Sequence, residues 1–210
     1  MAPTQPLETL LQTVDNALRA VFAPAQTSRA LPDLPAGTPM DEAARRHAAG
    51  LMRVNHAGEI AAQALYHGQA LLAREGATRD FMLRAAAEEG DHLAWCEQRL
   101  RELGARRSVL DPLWYAGSFA IGAAAAALSD ALSLGFVAET ERQVASHLEA
   151  HLRTLPSEDA RSRHIVATMQ REEAGHAAAA LAAGGAQLPP LARGVMKLAS
   201  QVMTRTAYWL

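Results

Sequence analysis

The amino-acid sequence is poor in cysteine and aromatic residues, and its charges nearly balance. A single cysteine, Cys96, among 210 residues excludes an internal disulfide and is typical of a reducing compartment. Aromatic residues make up only 5% of the chain and alanine dominates its apolar residues, a composition that favours close-packed helices over sheets. The net charge of −2 gives no support for nucleic-acid binding, which usually requires a strongly basic domain.

Long apolar runs are also absent. Residues 113–128 carry no charged side chain, but this segment is shorter than the roughly 20 residues that span a bilayer. Residues 1–20 contain Glu8 and Asp15 and lack a basic start, so we expect no signal peptide. The chain is long enough for one well-buried domain.

Apolar periodicity, together with the positions of proline and glycine, predicts helices throughout. An amphipathic helix at 6–21 precedes a linker that holds four of the ten prolines, and Asp41 then caps a long helix. We therefore divide the chain into an N-terminal helix with a Pro-rich linker (1–40) and a helical domain (41–210). The predicted helices of that domain span 41 to about 74, 79–103, 112–128, 129–155, 157–183 and 191–210.

Two Glu-x-x-His pairs, Glu89/His92 and Glu173/His176, are the most informative feature of the sequence. Residues three apart lie on one helix face, so each pair can bind one metal ion. Glu59 precedes the first pair and Glu141 the second by about one helical hairpin. Two such pairs with two further inward carboxylates form the ligand set of a carboxylate-bridged two-metal site in a four-helix bundle. The alternative is a set of solvated helix faces.

Glu139 and Glu141 cannot both point inward, because two residues along a helix turn by about 200°. Glu141 falls on the apolar stripe formed by Val137, Val144 and Leu148, so we assign it to the site. Glu139 is expected to be a surface charge.

Other polar residues near the six candidates have open roles. Glu88 and Glu172 either orient a ligand or are solvated, and Asp91 is a candidate to accept the outer N–H of a metal-bound histidine. His56 is either a further ligand or, as we favour, a supporting group, and His147 could line an opening to the site. Gly90 and Gly175 suggest that a backbone or a substrate approaches closely. Cys96 and Tyr66 are expected in the core, and three further histidines, His67, His151 and His164, at the surface.

Four carboxylates and two imidazoles suit iron or manganese better than zinc. Such a pair of ions can bind O2, but the ligands alone do not distinguish hydroxylation, ferroxidation and radical generation.

Two segments suggest contact with a membrane surface. Trp114 and Tyr115 begin the uncharged segment 113–128, and residues 191–210 form a basic amphipathic helix with Arg193, Lys197 and Arg205. The alternative for both is an ordinary bundle or oligomer helix. Together they favour a peripheral membrane protein with a lipid-soluble substrate.

Four segments closely resemble the Coq7 family of demethoxyubiquinone hydroxylases in its bacterial form. They are 51–59 (LMRVNHAGE), 88–95 (EEGDHLAW), 137–141 (VAETE) and 172–176 (EEAGH), and the resemblance covers about 45–210. It implies an all-α, ferritin-like four-helix bundle with additional amphipathic helices, and an O2-dependent hydroxylation of the ring of 5-demethoxyubiquinol in ubiquinone synthesis.

The resemblance also implies a cofactor and a ligand set. Two iron ions are expected, one on Glu59, Glu89 and His92. The other is expected on Glu141, Glu173 and His176, with Glu89 and Glu173 bridging. The quinol or NADH would supply electrons at the cytoplasmic side of the cell membrane, in a homo-oligomer or a ubiquinone-biosynthesis complex. Eukaryotic members tend to have His-Tyr where this chain has His147-Leu148, so a redox role for that tyrosine does not transfer.

Two other functions are compatible with the motifs. A ferritin-like ferroxidase or iron-binding protein would use iron itself as the substrate, and a metal-free membrane-binding bundle would use none. The uncharged segment and the basic C-terminal helix argue against a soluble ferritin shell.

Overall fold

The computed structural model describes residues 6–29 and 38–210, which form seven α-helices and no strand. The chain is therefore all-α, as predicted, and its bundle packing is consistent with a ferritin-like fold. The central part of the predicted linker lies outside the described residues, and the domain division at residue 40 stays a prediction. The helices are α1 (Pro6–Phe22), α2 (Glu42–Leu72), α3 (Gly76–Glu102), α4 (Asp111–Leu128), α5 (Asp130–Thr154), α6 (Ala160–Ala182) and α7 (Pro190–Trp209).

Three helices begin at side-chain caps, and the sequence predicts the one at Asp41. The Asp41 carboxylate accepts a hydrogen bond from the Ala44 amide at 2.7 Å. Ser129 and Asp159 cap α5 and α6 in the same way, at 3.1 Å and 2.9 Å. Each cap satisfies an amide that the first helical turn leaves without a partner.

The turn between α2 and α3 differs from the prediction. We expected Gly76 to end the first long helix, but α2 ends at Leu72 and Gly76 is the first residue of α3. The reason is a distant carboxylate: Asp130 accepts hydrogen bonds from the amides of Arg74 and Glu75, at 3.0 Å and 2.8 Å. Gly104 and Gly184, in contrast, follow α3 and α6 with positive φ values of 69° and 102°, as terminating glycines commonly do.

The four-helix bundle consists of two hairpins, α2–α3 and α5–α6, and two of its apolar clusters contain residues from all four helices. Trp95, Met169 and Leu148 belong to one cluster, and Tyr66 and Leu134 to the other. Along each of the four helices, the predicted ligands fall between residues of the two clusters. The site thus lies in the middle of the bundle, with apolar packing on both sides along its axis.

The helix α4 packs against α2 at very short range. A methyl group on Gly122 would collide with the carbonyl oxygen of Leu65, and one on Gly68 with the carbonyl oxygen of Phe119. Only glycine allows the two backbones to come so close. The uncharged segment 113–128 is therefore packed against α2 through the face of α4 that contains Gly122.

Three helices nevertheless each expose several large apolar side chains. Among the described residues, no helix combines the length and the apolar character needed to cross a bilayer. The exposed residues are Leu11, Val14, Leu18 and Phe22 on α1, Leu113, Ile121 and Leu128 on α4, and Leu191, Val195, Leu198, Val202 and Trp209 on α7.

Candidate metal centre

The structure brings together all six residues that the two motifs select. Their ligand atoms form two groups, each lying within 4.8 Å: Glu59, Glu89, His92 and Glu173 in one, and Glu89, Glu141, Glu173 and His176 in the other. Five of the six are buried, and His176 is 19% exposed. The six residues come from four separate helices, and each histidine lies three positions after a glutamate of its own helix, so the bundle itself assembles the site.

Glu89 and Glu173 lie between the two imidazoles. One oxygen of Glu173 is 2.9 Å from Nδ1 of His92, and the other is 3.1 Å from Nδ1 of His176. The oxygens of Glu89 divide in the same way, at 3.2 Å from His92 and 3.5 Å from His176. Each carboxylate therefore offers one oxygen to each half of the site, which is the arrangement of a bridging ligand.

The outer nitrogen of each histidine contacts a carboxylate from the opposite motif. Nε2 of His92 lies 2.7 Å from Glu172, and Nε2 of His176 lies 2.8 Å from Glu88. With a proton on Nε2, both Nδ1 atoms are free to face the centre. Such carboxylate contacts fix the tautomer and the ring orientation of metal-binding histidines. Of the two roles left open by the sequence, Glu88 and Glu172 have the orienting one.

Asp91 has a different role from the one for which it was a candidate. Its carboxylate binds Thr27, Ser28 and Arg29 of the N-terminal segment, with distances of 2.7 to 2.8 Å to Thr27 Oγ1, Ser28 N and Arg29 Nε. The sequence offered no signal for this contact, because about sixty residues and no shared motif separate the partners.

Burial and neighbouring charges shift the pKa values of the ionisable groups of the centre in different directions. Burial raises the pKa of Glu59 and of Glu141 well above the usual range of a carboxyl group. The pKa of Glu89 is lowered, because hydrogen bonds with the two imidazoles outweigh its burial. Burial alone would lower the pKa of a histidine, but contacts with carboxylates outweigh it. They raise the pKa of His92 well above its usual value and that of His176 to about 11.

The donor set fits two divalent cations. Without a cation, the centre needs protons on both imidazoles and on two carboxyl groups to limit its negative charge. Oε1 of Glu141 is buried and accepts no hydrogen bond from the described residues. Leaving buried acceptors without a partner is costly, and a cation supplies that partner.

Neighbouring residues depart from the predictions in part. Glu141 reaches the centre, but the expected surface position of Glu139 is wrong: it is buried, accepts a hydrogen bond from Gln143 at 2.7 Å and pairs with Arg142. The start of α7 covers this face, since Gln143 also donates to the carbonyl of Arg193.

The other histidines lie outside the two groups of candidate metal ligands. His56 is buried, with Nδ1 3.5 Å from the Asp111 carboxylate, which suits a supporting group. The expected surface position of His151 is wrong, because it is buried with its ring centroid 3.9 Å from that of His147. His147 lines an open pocket of about 280 Å³ beside the end of α7.

The glycines beside the ligands do not mark a close backbone approach. A methyl group on Gly175 would meet nothing within 4 Å, and one on Gly90 would meet only the Gln63 side chain at 3.6 Å. Cys96 and Tyr66 are buried in the core, as predicted.

Comparison with known proteins identifies a family for the chain. The family model described as "Ubiquinone biosynthesis protein COQ7" matches residues 46–207. The 3-demethoxyubiquinol 3-hydroxylase of Bordetella avium is 56% identical over 205 residues, covering 98% of this chain and 95% of the relative. Those of Variovorax paradoxus and Nitrosospira multiformis are 55% and 54% identical, covering 98% and 97% of this chain and 99% of each relative.

Proposed function

The chain belongs to the COQ7 family of ubiquinone biosynthesis proteins, and from that premise we propose that it hydroxylates the ring of demethoxyubiquinol at a centre of two iron ions. The observation that carries this proposal is the pair Glu89 and Glu173, each of which directs one carboxylate oxygen to each half of the site. Glu59 and His92 complete one half, and Glu141 and His176 the other.

The centre suits iron by charge and by ligand type. Four glutamates offset the four positive charges of two ferrous ions inside a buried site, and carboxylate-rich sites favour iron or manganese. When bound, such a pair supplies electrons and open coordination positions for the activation of O2. One oxygen atom enters a ring C–H bond and the other leaves as water. The two electrons and two protons come from a quinol, or from NADH together with one proton from solvent.

The residues of the chain prepare the site for this chemistry. Glu172 and Glu88 hold the outer N–H groups of the histidines, so that both Nδ1 atoms face the ions. The two apolar clusters on either side exclude water along the bundle axis, which protects reactive oxygen species from side reactions. His176 is the partly exposed ligand, so the quinol ring is expected to approach from its side.

A lipid-soluble quinol calls for a protein at the membrane surface. The exposed apolar residues of α7 recur every three to four positions, with Arg193, Lys197 and Arg205 on the same helix. Apolar and basic side chains on one helix suit insertion between anionic lipid head groups. We infer that α7, with the exposed residues of α1 and α4, attaches the protein to the cytoplasmic side of the cell membrane.

The hydroxylation is tested with purified protein that is loaded anaerobically with Fe(II) and then given demethoxyubiquinol, NADH and ¹⁸O2. We expect about two iron ions per chain and a product with one ¹⁸O atom in its ring. Glu173→Ala should abolish product formation, whereas Glu149→Gln, which alters an exposed pair with Arg153, should not. Unlabelled or absent product from the iron-loaded protein would refute the proposal, and a large iron core would favour the ferritin-like alternative.

Attachment to membranes is tested separately by co-sedimentation with vesicles that contain anionic lipids. Leu198→Asp on α7 should weaken binding, whereas Leu83→Asp on α3 should not, although both leucines are exposed (63% and 45%). Equal binding of the two variants would contradict a specific role of α7.

A further inference from the structure

The two halves of the centre look alike in their ligands but differ in what surrounds them. His92 is fully buried, and its partner Glu172 is 30% exposed. His176 is 19% exposed, and its partner Glu88 is 54% exposed. A further difference concerns the two partner carboxylates: among the described residues, only one of them also pairs with a cation other than its histidine.

That cation is Arg29, which precedes the family-matched part of the chain. Its two terminal nitrogens donate to both oxygens of Glu172, at 3.0 Å and 2.9 Å, while its Nε donates to Asp91 at 2.8 Å. The guanidinium also lies 4.8 Å from the ring centroid of Trp95. A planar guanidinium with a bidentate carboxylate partner defines an orientation that a simple point charge would not.

The backbone around Arg29 is fixed to the bundle by several contacts. Ser28 N and Thr27 Oγ1 donate to Asp91 at 2.7 Å and 2.8 Å, and Ala25 N donates to Glu97 at 2.8 Å. Asp91 and Glu97 are both on α3, the helix that carries His92. The segment 25–29 therefore lies along α3 and places Arg29 on the outer side of the half of the centre that contains His92.

We propose that Arg29 is a positioning residue for the metal centre: it holds Glu172 in place, so that Glu172 orients His92 and strengthens the binding of one ion of the two. This inference rests on the proposed two-metal function. Glu172 is partly exposed and has a flexible side chain, so without Arg29 it can turn toward water and release the outer N–H of His92. In the described ranges no arginine or lysine pairs with Glu88, so the ion at His176 should not depend on Arg29.

The test is an anaerobic titration with Co(II), whose visible absorption reports occupancy without oxidation chemistry. We expect wild-type protein to bind two ions, and Arg29→Gln to weaken one of them about 10- to 100-fold, the usual effect of losing a group that supports a ligand. The other dissociation constant should change less than about twofold. Arg29→Lys should be intermediate, because an ammonium cannot make the bidentate contact.

A double-mutant cycle identifies the route of the effect. If Arg29 acts through Glu172, Arg29→Gln should add nothing in a Glu172→Gln background. Arg19→Gln, which removes an exposed pair with Asp15 on α1, is the matched control and should leave both ions unchanged. Thermal unfolding of each variant accompanies the titrations, since a merely structural contact would lower stability without changing the ratio of the two affinities.

Three results would overturn the inference. They are an equal loss of both ions in Arg29→Gln, no loss of either, and an additive loss in the double variant. None of these three results contradicts the proposed function, as long as the wild-type protein binds two ions. Wild-type protein that binds fewer than two ions would instead refute the two-metal centre itself.

Discussion

Glu139 and Glu141 are two residues apart on α5 and both buried, yet only Glu141 belongs to the metal-binding groups. Glu139 points to the other side of the helix, where it contacts Gln143 and Arg142. Burial therefore does not distinguish the carboxylate of the centre from its neighbour, whereas the identity of the nearest charged groups does. Glu141 faces Glu173 and His176, and Glu139 faces its own helix.

This difference predicts the metal content of two matched variants. Glu141→Gln should lose about half of the bound iron, because one ion loses its terminal carboxylate, while Glu139→Gln should retain both ions. Iron per chain after anaerobic loading and desalting gives the measurement. Similar iron content in the two variants would show that Glu141 is not a ligand.

The sequence selected the six residues that the structure brings together because two spacings relate them: three positions within a helix, and about one hairpin between helices. The spacing of Glu89 to His92 and of Glu173 to His176 places each pair on one face, and the apolar stripe of α5 selects Glu141. A local rule of this kind also predicted the cap at Asp41.

Several of the errors concern contacts between segments that are distant in the chain. Glu139 is buried because the start of α7 lies beside it, and Gly76 begins a helix because Asp130 satisfies the preceding turn. Arg29 reaches Glu172 across 143 positions, and no periodicity or spacing indicates such a partner. Residue patterns within a helix could be interpreted from the sequence, whereas the segment that covers the outer face of the helix could not be predicted.

The close packing of α4 on α2 predicts opposite effects for two glycines of the same helix. Gly122→Ala would place a methyl group against the Leu65 carbonyl, and we expect it to lower the free energy of unfolding by roughly 1–3 kcal/mol or more, as overpacking does. At Gly117 nothing lies within 4 Å, so Gly117→Ala should raise that free energy by up to about 1 kcal/mol through helix propensity.

Urea unfolding followed by circular dichroism measures both changes. Gly117→Ala is the control for helix propensity, since it introduces the same methyl group into α4 without a collision. A stabilised Gly122→Ala variant would mean that α4 is farther from α2 than the structure places it.

Metal binding should strengthen as the pH rises. The raised pKa values of Glu59, Glu141, His92 and His176 mean that the metal-free centre carries protons, and bound ions must displace them. Each displaced proton makes the apparent affinity rise roughly tenfold per pH unit below the pKa of its group. The His176 pKa of about 11 keeps this dependence active throughout pH 6 to 8.

Calorimetric titration with Co(II) in buffers of different ionisation enthalpy counts the protons released. We expect more than one proton per ion at pH 7, and Glu141→Gln should reduce the total. A pH-independent affinity, with no proton release, would contradict the protonated state inferred for the empty centre.

The buried Asp111 at the start of α4 predicts how folding stability depends on pH. Burial, only partly opposed by Arg107, raises the pKa of Asp111 to about 7. In the folded protein this carboxyl keeps its proton to higher pH than in the unfolded chain, so its contribution to stability is present below pH 4 and is lost as the pH rises through 7. Asp111→Asn removes this loss. Its stability relative to wild type should therefore be greater at pH 8 than at pH 5, by roughly 2–3 kcal/mol.

Asp130→Asn provides a control of opposite sign. Hydrogen bonds from the amides of Arg74 and Glu75 outweigh burial and lower the pKa of Asp130, so this carboxylate stabilises the protein above its unfolded pKa and ceases to do so as the pH falls. Asp130→Asn should be destabilising at pH 8 and less so at pH 3. Urea unfolding of both variants across this pH range tests the pair of predictions. Parallel stability profiles for wild type and Asp111→Asn would show that Asp111 ionises as freely in the folded protein as in the unfolded chain.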